Sequence, residues 1–255
     1  MHSFKIDDLE IKKYESRDDM GRAAASDIAE CIKALLEKQP VVNMIFAAAP
    51  SQNEMLKYLC DEKGIDWKRI NAFHMDEYVG LKSDAPQCFS NYLRTHIFDI
   101  KPFKSVNCLN ADVIDSEAEC RRYSKLLYNN PCDIVCMGIG ENGHIAFNDP
   151  HVADFNDKAA VKVVDLDAVC RMQQVNDGCF ASIDDVPKYA MTLTIPVMMA
   201  AKYRFCVVPG PTKAKAVYET LYLNISEKCP AGILRTKKNS VLYCDNDSSS
   251  LLNNK

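Results

Sequence analysis

The sequence predicts a single α/β domain of modified Rossmann-like type, a mostly parallel sheet with helices on both faces. Three observations carry that expectation. Short apolar runs rich in β-branched residues alternate with segments whose apolar residues recur at helical spacing. Each cluster of chemically capable polar residues follows the end of one of those runs, where a parallel sheet presents its ligand sites. The length of 255 residues suits one large domain with a sizeable core. Neither an internal repeat nor a linker interrupts the chain. Residues 1–244 are read as the domain, and the Ser- and Asn-rich segment 245–255 as a polar tail expected to fray.

The elements follow in order. Ser16, with Asp19 three residues on, marks a helix start, and Met20, Ala24, Ile28, Cys31, Ile32, Leu35 and Leu36 recur at helical spacing up to Pro40. Val41 to Ala49 reads as a buried strand. Ser51-Gln52-Asn53-Glu54 has the capping-box pattern and opens a helix with Met55, Leu56 and Leu59 inward. Arg69 to Met75 reads as a strand ending at Asp76, followed by helical segments from about Pro86 to Phe98 and from Ser116 to Tyr128. The run Asp133 to Met137 is a strand broken by two glycines. Val161 to Leu166, Met191 to Ile195 and Tyr203 to Val208 are strand-like. Pro211 to Leu223 reads as a helix with Pro in its first turn, and Ser240 to Cys244 as the last strand.

Composition narrows the function classes. A formal net charge of -4 gives no general basic field for nucleic acid, though a local pocket can still be cationic. Met1 to Ser16 mixes Lys, Asp and Glu without an apolar core, unlike a signal peptide, and no stretch approaches the ~20 apolar residues of a membrane helix. The expectation is a soluble, cytoplasmic protein with no nucleic-acid or membrane partner; a homo-oligomer is compatible with it. Twelve cysteines are many, but Cys132, Cys136, Cys206 and Cys244 lie in or beside apolar runs. With no C-x-x-C pair and no metal-like grouping with histidine, they read as reduced core thiols.

The most informative segment runs from Cys132 to Pro150. After its strand, Asn142, His144 and Asp149 bring an amide, an imidazole and a carboxylate together at a sheet edge. A histidine with groups to orient it is the usual instrument for moving protons near neutral pH. The plain alternative is a surface turn with a solvated histidine; the strand-to-loop placement and clustered polar groups weigh against it. In Phe73-His74-Met75-Asp76-Glu77, adjacent carboxylates at a strand end offer a general base in Asp76 or, equally, a cap for a turn. Gly210-Pro211-Thr212-Lys213 joins a glycine turn to a lysine at a helix start, which suits a phosphate or a merely solvated lysine. Ser51 offers a second such anion site, and Arg171 a third clamp.

These residues carry a resemblance. Met75-Asp76-Glu77-Tyr78-Val79-Gly80-Leu81, Gly138 through Pro150, Val186-Pro187-Lys188-Tyr189-Ala190-Met191-Thr192 and Gly210-Pro211-Thr212-Lys213-Ala214 are similar, in order, to the glucosamine-6-phosphate deaminase (glucosamine/galactosamine-6-phosphate isomerase) family. The sister 6-phosphogluconolactonases continue the Gly-His turn with a Ser-containing sequence, so Ile145-Ala146-Phe147-Asn148 favours the deaminase side. The resemblance implies aldose–ketose isomerisation and deamination of a hexosamine 6-phosphate to a ketohexose 6-phosphate and ammonia, without metal or organic cofactor. It implies Asp76 as the base between carbons 2 and 1, and His144, assisted by Asn142 and Asp149, as the group that opens the sugar ring. It implies Lys213 as a phosphate contact; Ser51, at its own helix start, and Arg171, near the place of a family arginine with no unambiguous counterpart here, are the other candidates.

The chain also departs from that family. Ala47-Ala48-Ala49-Pro50-Ser51-Gln52 replaces a loop usually rich in Thr and Gly, Asp149 stands where Glu is usual, and the segment Arg171 to Phe180 differs. The family's allosteric basic pair has no clear counterpart around Ala159 to Lys162. These differences bring the sugar epimer into question, with glucosamine 6-phosphate accepted and galactosamine 6-phosphate its competitor. A lactone hydrolase on the same scaffold is the alternative enzyme; it needs His144 but gives Asp76 no proton to move. A sugar-phosphate sensor is the alternative from another class. It normally needs a DNA-binding module, and the first helical segment here leads straight into the first strand.

Overall fold

The computed structural model describes residues 2–176 and 178–252. An N-terminal hairpin, β1 (His2–Ile6) and β2 (Leu9–Lys13), precedes helix α1 (Arg17–Leu36), strand β3 (Val42–Phe46), helix α2 (Asn53–Asp61) and strand β4 (Ile70–His74). Strand β5 (Asp76–Tyr78), helix α3 (Phe89–Leu93), strand β6 (Ser105–Asn107), helix α4 (Ser116–Asn129) and strand β7 (Ile134–Met137) follow. The remainder comprises strand β8 (Val161–Asp165), helix α5 (Ala168–Asn176), strand β9 (Tyr189–Leu193), helix α6 (Ile195–Met199), strand β10 (Tyr203–Val208), helix α7 (Ala214–Tyr222) and strand β11 (Ser240–Cys244).

Eight strands form one sheet in the order β1-β2-β11-β10-β7-β3-β4-β6, parallel throughout except for the β1–β2 hairpin. A small antiparallel sheet, β5-β9-β8, stands beside it. Alternation along the central strands sorts the core into two layers. In β10, Phe205 and Val207 face α1, α2 and α3, while Cys206 and Val208 face α4, α6 and α7. Each such fully buried side chain contributes about 1.5–3 kcal/mol. The α/β class with a mostly parallel sheet therefore holds, with the three-stranded sheet added to it.

Helix α1 starts as read: the Ser16 side chain accepts from the Asp19 amide at 3.1 Å, and Met20, Ala24, Ile28 and Ile32 are buried. Four readings need correction. Ser51 caps nothing: Pro50–Gln52 forms a short 3-10 turn, and α2 begins at Asn53 without a side-chain cap. The segment from Pro86 to Phe98 is helical only from Phe89, and it widens into a π-helical turn over Arg94–Phe98. The strand ending at Asp76 is in fact two, because Asp76 opens β5 in the second sheet. The tail does not fray over 245–252. Ser248 and Ser249 are fully buried, and the Asp245 carboxylate accepts from the Gly210 amide at 3.0 Å and the Ser248 amide at 2.8 Å. The rest of the tail, 253–255, lies outside the described residues. Among the described residues, no helix is long and apolar enough to cross a membrane.

Candidate active site

Four neighbouring parallel strands, β10, β7, β3 and β4, end at one edge of the sheet, so the segments that follow them meet there. Between them lies a cleft of about 270 Å³, lined among others by Ser51, Asp76, His144 and Lys213. Four positions far apart in sequence are thus brought to one cavity by strand order.

The histidine loop after β7 is built from its own polar groups. The Gly140 amide donates to the His144 carbonyl at 2.9 Å, and the His144 amide donates to Asn142 Oδ1 at 3.1 Å. A β-carbon at Gly140 would lie 2.2 Å from the His144 ring, so glycine is required for the imidazole to fold back over the loop. Asn142 Nδ2 donates to Asp149 Oδ1 at 2.8 Å, and His144 Nδ1 stands 2.9 Å from the same oxygen, close enough to pair but not aligned as a hydrogen bond. Burial would raise the Asp149 carboxyl, but the nearby His144 ring and the Asn142 amide outweigh it and hold the group below its ordinary range. Asn142 and Asp149 stand behind the imidazole; the cleft wall itself is His144.

Asp76 opposes this loop from the first residue of β5, pairing with Thr192 of β9. It is buried, and loss of solvation, reinforced by the adjacent Glu77 and opposed by His74, pushes its carboxyl from 3.8 up to about 7. That leaves it able to gain and lose a proton near neutrality. Glu77 points the other way. Its carboxylate is fully buried and accepts from the amides of Tyr78, Phe89 and Ser90 at 3.1, 3.0 and 2.9 Å. It thereby ties β5 to the start of α3, whose Phe89 also lines the cleft.

At the other end of the cleft, Gly210 takes φ +93°, and the short turn Pro211–Lys213 leads into α7 with Lys213 buried. The Asp245 carboxylate that receives the Gly210 amide belongs to the packed tail, so the tail braces this turn. Ser51 Oγ lines the same region and accepts from Gln52 Nε2 at 3.0 Å. Arg171 does not join them. Its guanidinium donates to the carbonyls of Ile183 and Val186, tying α5 to the turn Ile183–Asp185, and it is not part of the cleft wall. The arginine that does line the cleft is Arg17, which pairs with Glu54 at 2.8 Å and donates to the Pro50 carbonyl. Sequence reasoning missed it because only packing brings the first turn of α1 against Pro50. It also missed α5, which places Gln173 and Gln174 in the wall, with Gln173 Oε1 accepting from the Glu141 amide at 3.0 Å.

All twelve cysteines are free. The sequence shows no metal-like grouping with histidine, but the fold brings one set of candidate donors together. His144, Asp149 and Cys170 are all buried and bring candidate ligand atoms within 4.8 Å of one another, a grouping unseen in the sequence because Cys170 lies on α5.

A parallel α/β scaffold with an acid–base pair and a cationic end in one cleft defines a class of small-molecule enzymes. The family described as glucosamine-6-phosphate isomerases/6-phosphogluconolactonase matches residues 15–243, and the chain belongs to it. A glucosamine-6-phosphate deaminase of Listeria innocua is 35% identical over 211 residues, 83% of this chain and 88% of the relative. One of Bacillus cereus is 33% identical over 245 residues, 95% of this chain and 89% of the relative. Among solved structures, a monomeric glucosamine-6-phosphate deaminase superposes with a TM-score of 0.85 at 31% identity, covering 94% of this chain and 99% of that one. The 6-phosphogluconolactonase of Thermotoga maritima shares the fold, with a TM-score of 0.77 at 19% identity over 93% of this chain and 99% of that one.

Proposed function

We propose that the chain isomerises and deaminates a hexosamine 6-phosphate, giving a ketohexose 6-phosphate and ammonia. The observation that carries this reading is Asp76, a buried carboxyl titrating near 7 in the same cleft as His144. A proton shuttle between adjacent carbons needs a base of that kind; lactone hydrolysis does not. The deaminase relatives at 31–35% identity support the same choice.

In this reading the phosphate sits at Lys213 and Ser51 with the charge of Arg17 nearby, and Arg171 is left to brace α5. His144, oriented by Asp149 and Asn142, protonates the ring oxygen while the carbon-1 hydroxyl gives its proton to water, so the carbon-1–ring oxygen bond breaks and the open aldehyde forms. Asp76 then takes the proton from carbon 2, giving an enolamine, and returns it at carbon 1. The resulting imine at carbon 2 is hydrolysed by water with release of ammonia. We place the reaction in the cytoplasm, where twelve free thiols stay reduced. The Ala47–Gln52 loop and the segment Arg171 to Phe180, which depart from the resembling family's usual sequence, are the parts best placed to tune the sugar pocket, so both epimers are candidate substrates. Ammonia release from glucosamine 6-phosphate and galactosamine 6-phosphate by the pure protein tests the reading, and turnover of neither overturns it.

A further inference from the structure

The geometry points to a zinc-binding site formed by His144, Asp149 and Cys170, through which a thiophilic divalent cation switches the enzyme off. The three side chains are buried, with Asp149 fully so and Cys170 1% exposed, and their ligand atoms lie within 4.8 Å of one another. Asp149 Oδ2 has no aligned hydrogen bond, with the Cys170 thiol its neighbour, while Asp149 Oδ1 takes the Asn142 amide and stands 2.9 Å from His144 Nδ1. A buried carboxylate oxygen is rarely left so, and this one belongs to the one grouping of three such residues found among the described residues.

The donor set selects the ion. Thiolate, imidazole and carboxylate together suit zinc, whereas magnesium and calcium take oxygen ligands. Zinc–ligand bonds of about 2.0–2.3 Å space tetrahedral ligands about 3.3–3.8 Å apart, so a spacing at the 4.8 Å limit must shorten by about an ångström while the 2.9 Å His144–Asp149 spacing opens slightly. His144 lines the cleft, which gives the ion an access route and leaves room for a water as fourth ligand.

Cys170 supplies what distinguishes this site from an ordinary His–Asp pair. It lies on α5, buried beside Asp149, and brings a sulfur donor to the pair. Binding is Zn²⁺ plus thiol giving zinc thiolate plus H⁺. An ion there takes the Asp149 carboxylate and a ring nitrogen from the imidazole. His144 then loses the orientation that the proposed ring opening needs, and to this extent inhibition rests on the proposed function.

The test separates binding from inhibition. Cobalt(II) added to the thiol-reduced whole protein should give a thiolate-to-cobalt charge-transfer band, and zinc should bleach it. Cys170→Ala should lose that band together with one equivalent of bound zinc, and the zinc concentration halving ammonia release should rise at least tenfold. Cys179→Ser, outside the trio, should behave like the parent. If the parent shows no thiolate band, or if Cys170→Ala binds and responds to zinc as the parent does, the site is refuted. If Cys170→Ala fails to fold, Cys170→Ser, which keeps the side-chain size but not the thiolate, must lose the band in its place; a retained band refutes the site. A zinc site with no hexosamine-phosphate turnover would leave this inference standing and overturn the proposed function instead.

Discussion

Replacing Asp76 by Asn should stabilise the protein, and by an amount that grows with pH. The carboxyl is 7% exposed and its pKa rises from 3.8 to about 7 on folding, because burial disfavours the anion. A raised carboxyl pKa means that the folded chain holds this proton more tightly than the unfolded chain. The stability it contributes is complete below pH 3.8 and is lost as pH rises through about 7. At ~1.36 kcal/mol per tenfold change, ionised Asp76 costs the native state up to about 4 kcal/mol above neutrality. Asparagine has nearly the same shape and does not titrate, so the variant escapes that cost. Urea unfolding of both proteins between pH 5 and pH 8 measures the difference, since every other titrating group is shared. The gap in favour of Asp76→Asn should widen by about 2–3 kcal/mol over that interval. A constant gap would mean that Asp76 titrates like a surface carboxylate, and a narrowing one would reverse the sign of the reasoning.

The same proton governs rate. Asp76 acts as a base only when ionised, so kcat/KM should fall as pH drops below about 7, well above the ordinary carboxylate value, and an acid limb near pH 4 would contradict this. Lys213→Ala should raise KM about 10–100-fold while kcat changes only a few-fold, since a charged contact to a non-reacting phosphate is worth about 1.5–3 kcal/mol in both ground and transition states. Steady-state kinetics separate the two parameters, and a loss confined to kcat would remove Lys213 from the phosphate site. Glu77→Ala leaves three amide donors, those of Tyr78, Phe89 and Ser90, without their carboxylate, and should cost about 3–5 kcal/mol in chemical denaturation. A cost below about 1 kcal/mol would mean that water replaces the carboxylate.

How far the sequence reveals this molecule depends on how local each signal is. Strands β10 and β11 have the bounds read from the sequence, because Tyr203–Val208 and Ser240–Cys244 are apolar runs buried on both faces. The hairpin β1–β2 was missed although it was legible: Phe4-Lys5-Ile6 and Leu9-Glu10-Ile11-Lys12 alternate apolar and charged residues, as strands with one exposed face do. Three-residue β5 was hidden, since Asp76 and Glu77 look like loop residues and are buried only for their chemistry and anchoring. The histidine loop was legible because Asn142, His144 and Asp149 fall within one short segment. Arg17 and Cys170 were not, because each reaches the cleft region on a helix from elsewhere in the chain. Arg171 and Ser51 show the converse: the residue type suits an anion or a cap, but packing gives Arg171 to two carbonyls and Pro50 turns Ser51 toward the cleft.

The central claim is that Asp76 carries a proton between two carbons of an opened amino sugar phosphate. Ammonia release from glucosamine 6-phosphate and galactosamine 6-phosphate, compared between the parent protein and Asp76→Asn, tests it most directly. Hydrolysis of 6-phosphogluconolactone should be followed in parallel. The account predicts turnover of at least one epimer by the parent and a loss of at least ~100-fold in the variant, as expected for removal of a general base. Near-normal ammonia release by Asp76→Asn, or lactone hydrolysis as the only activity of the parent, would contradict it.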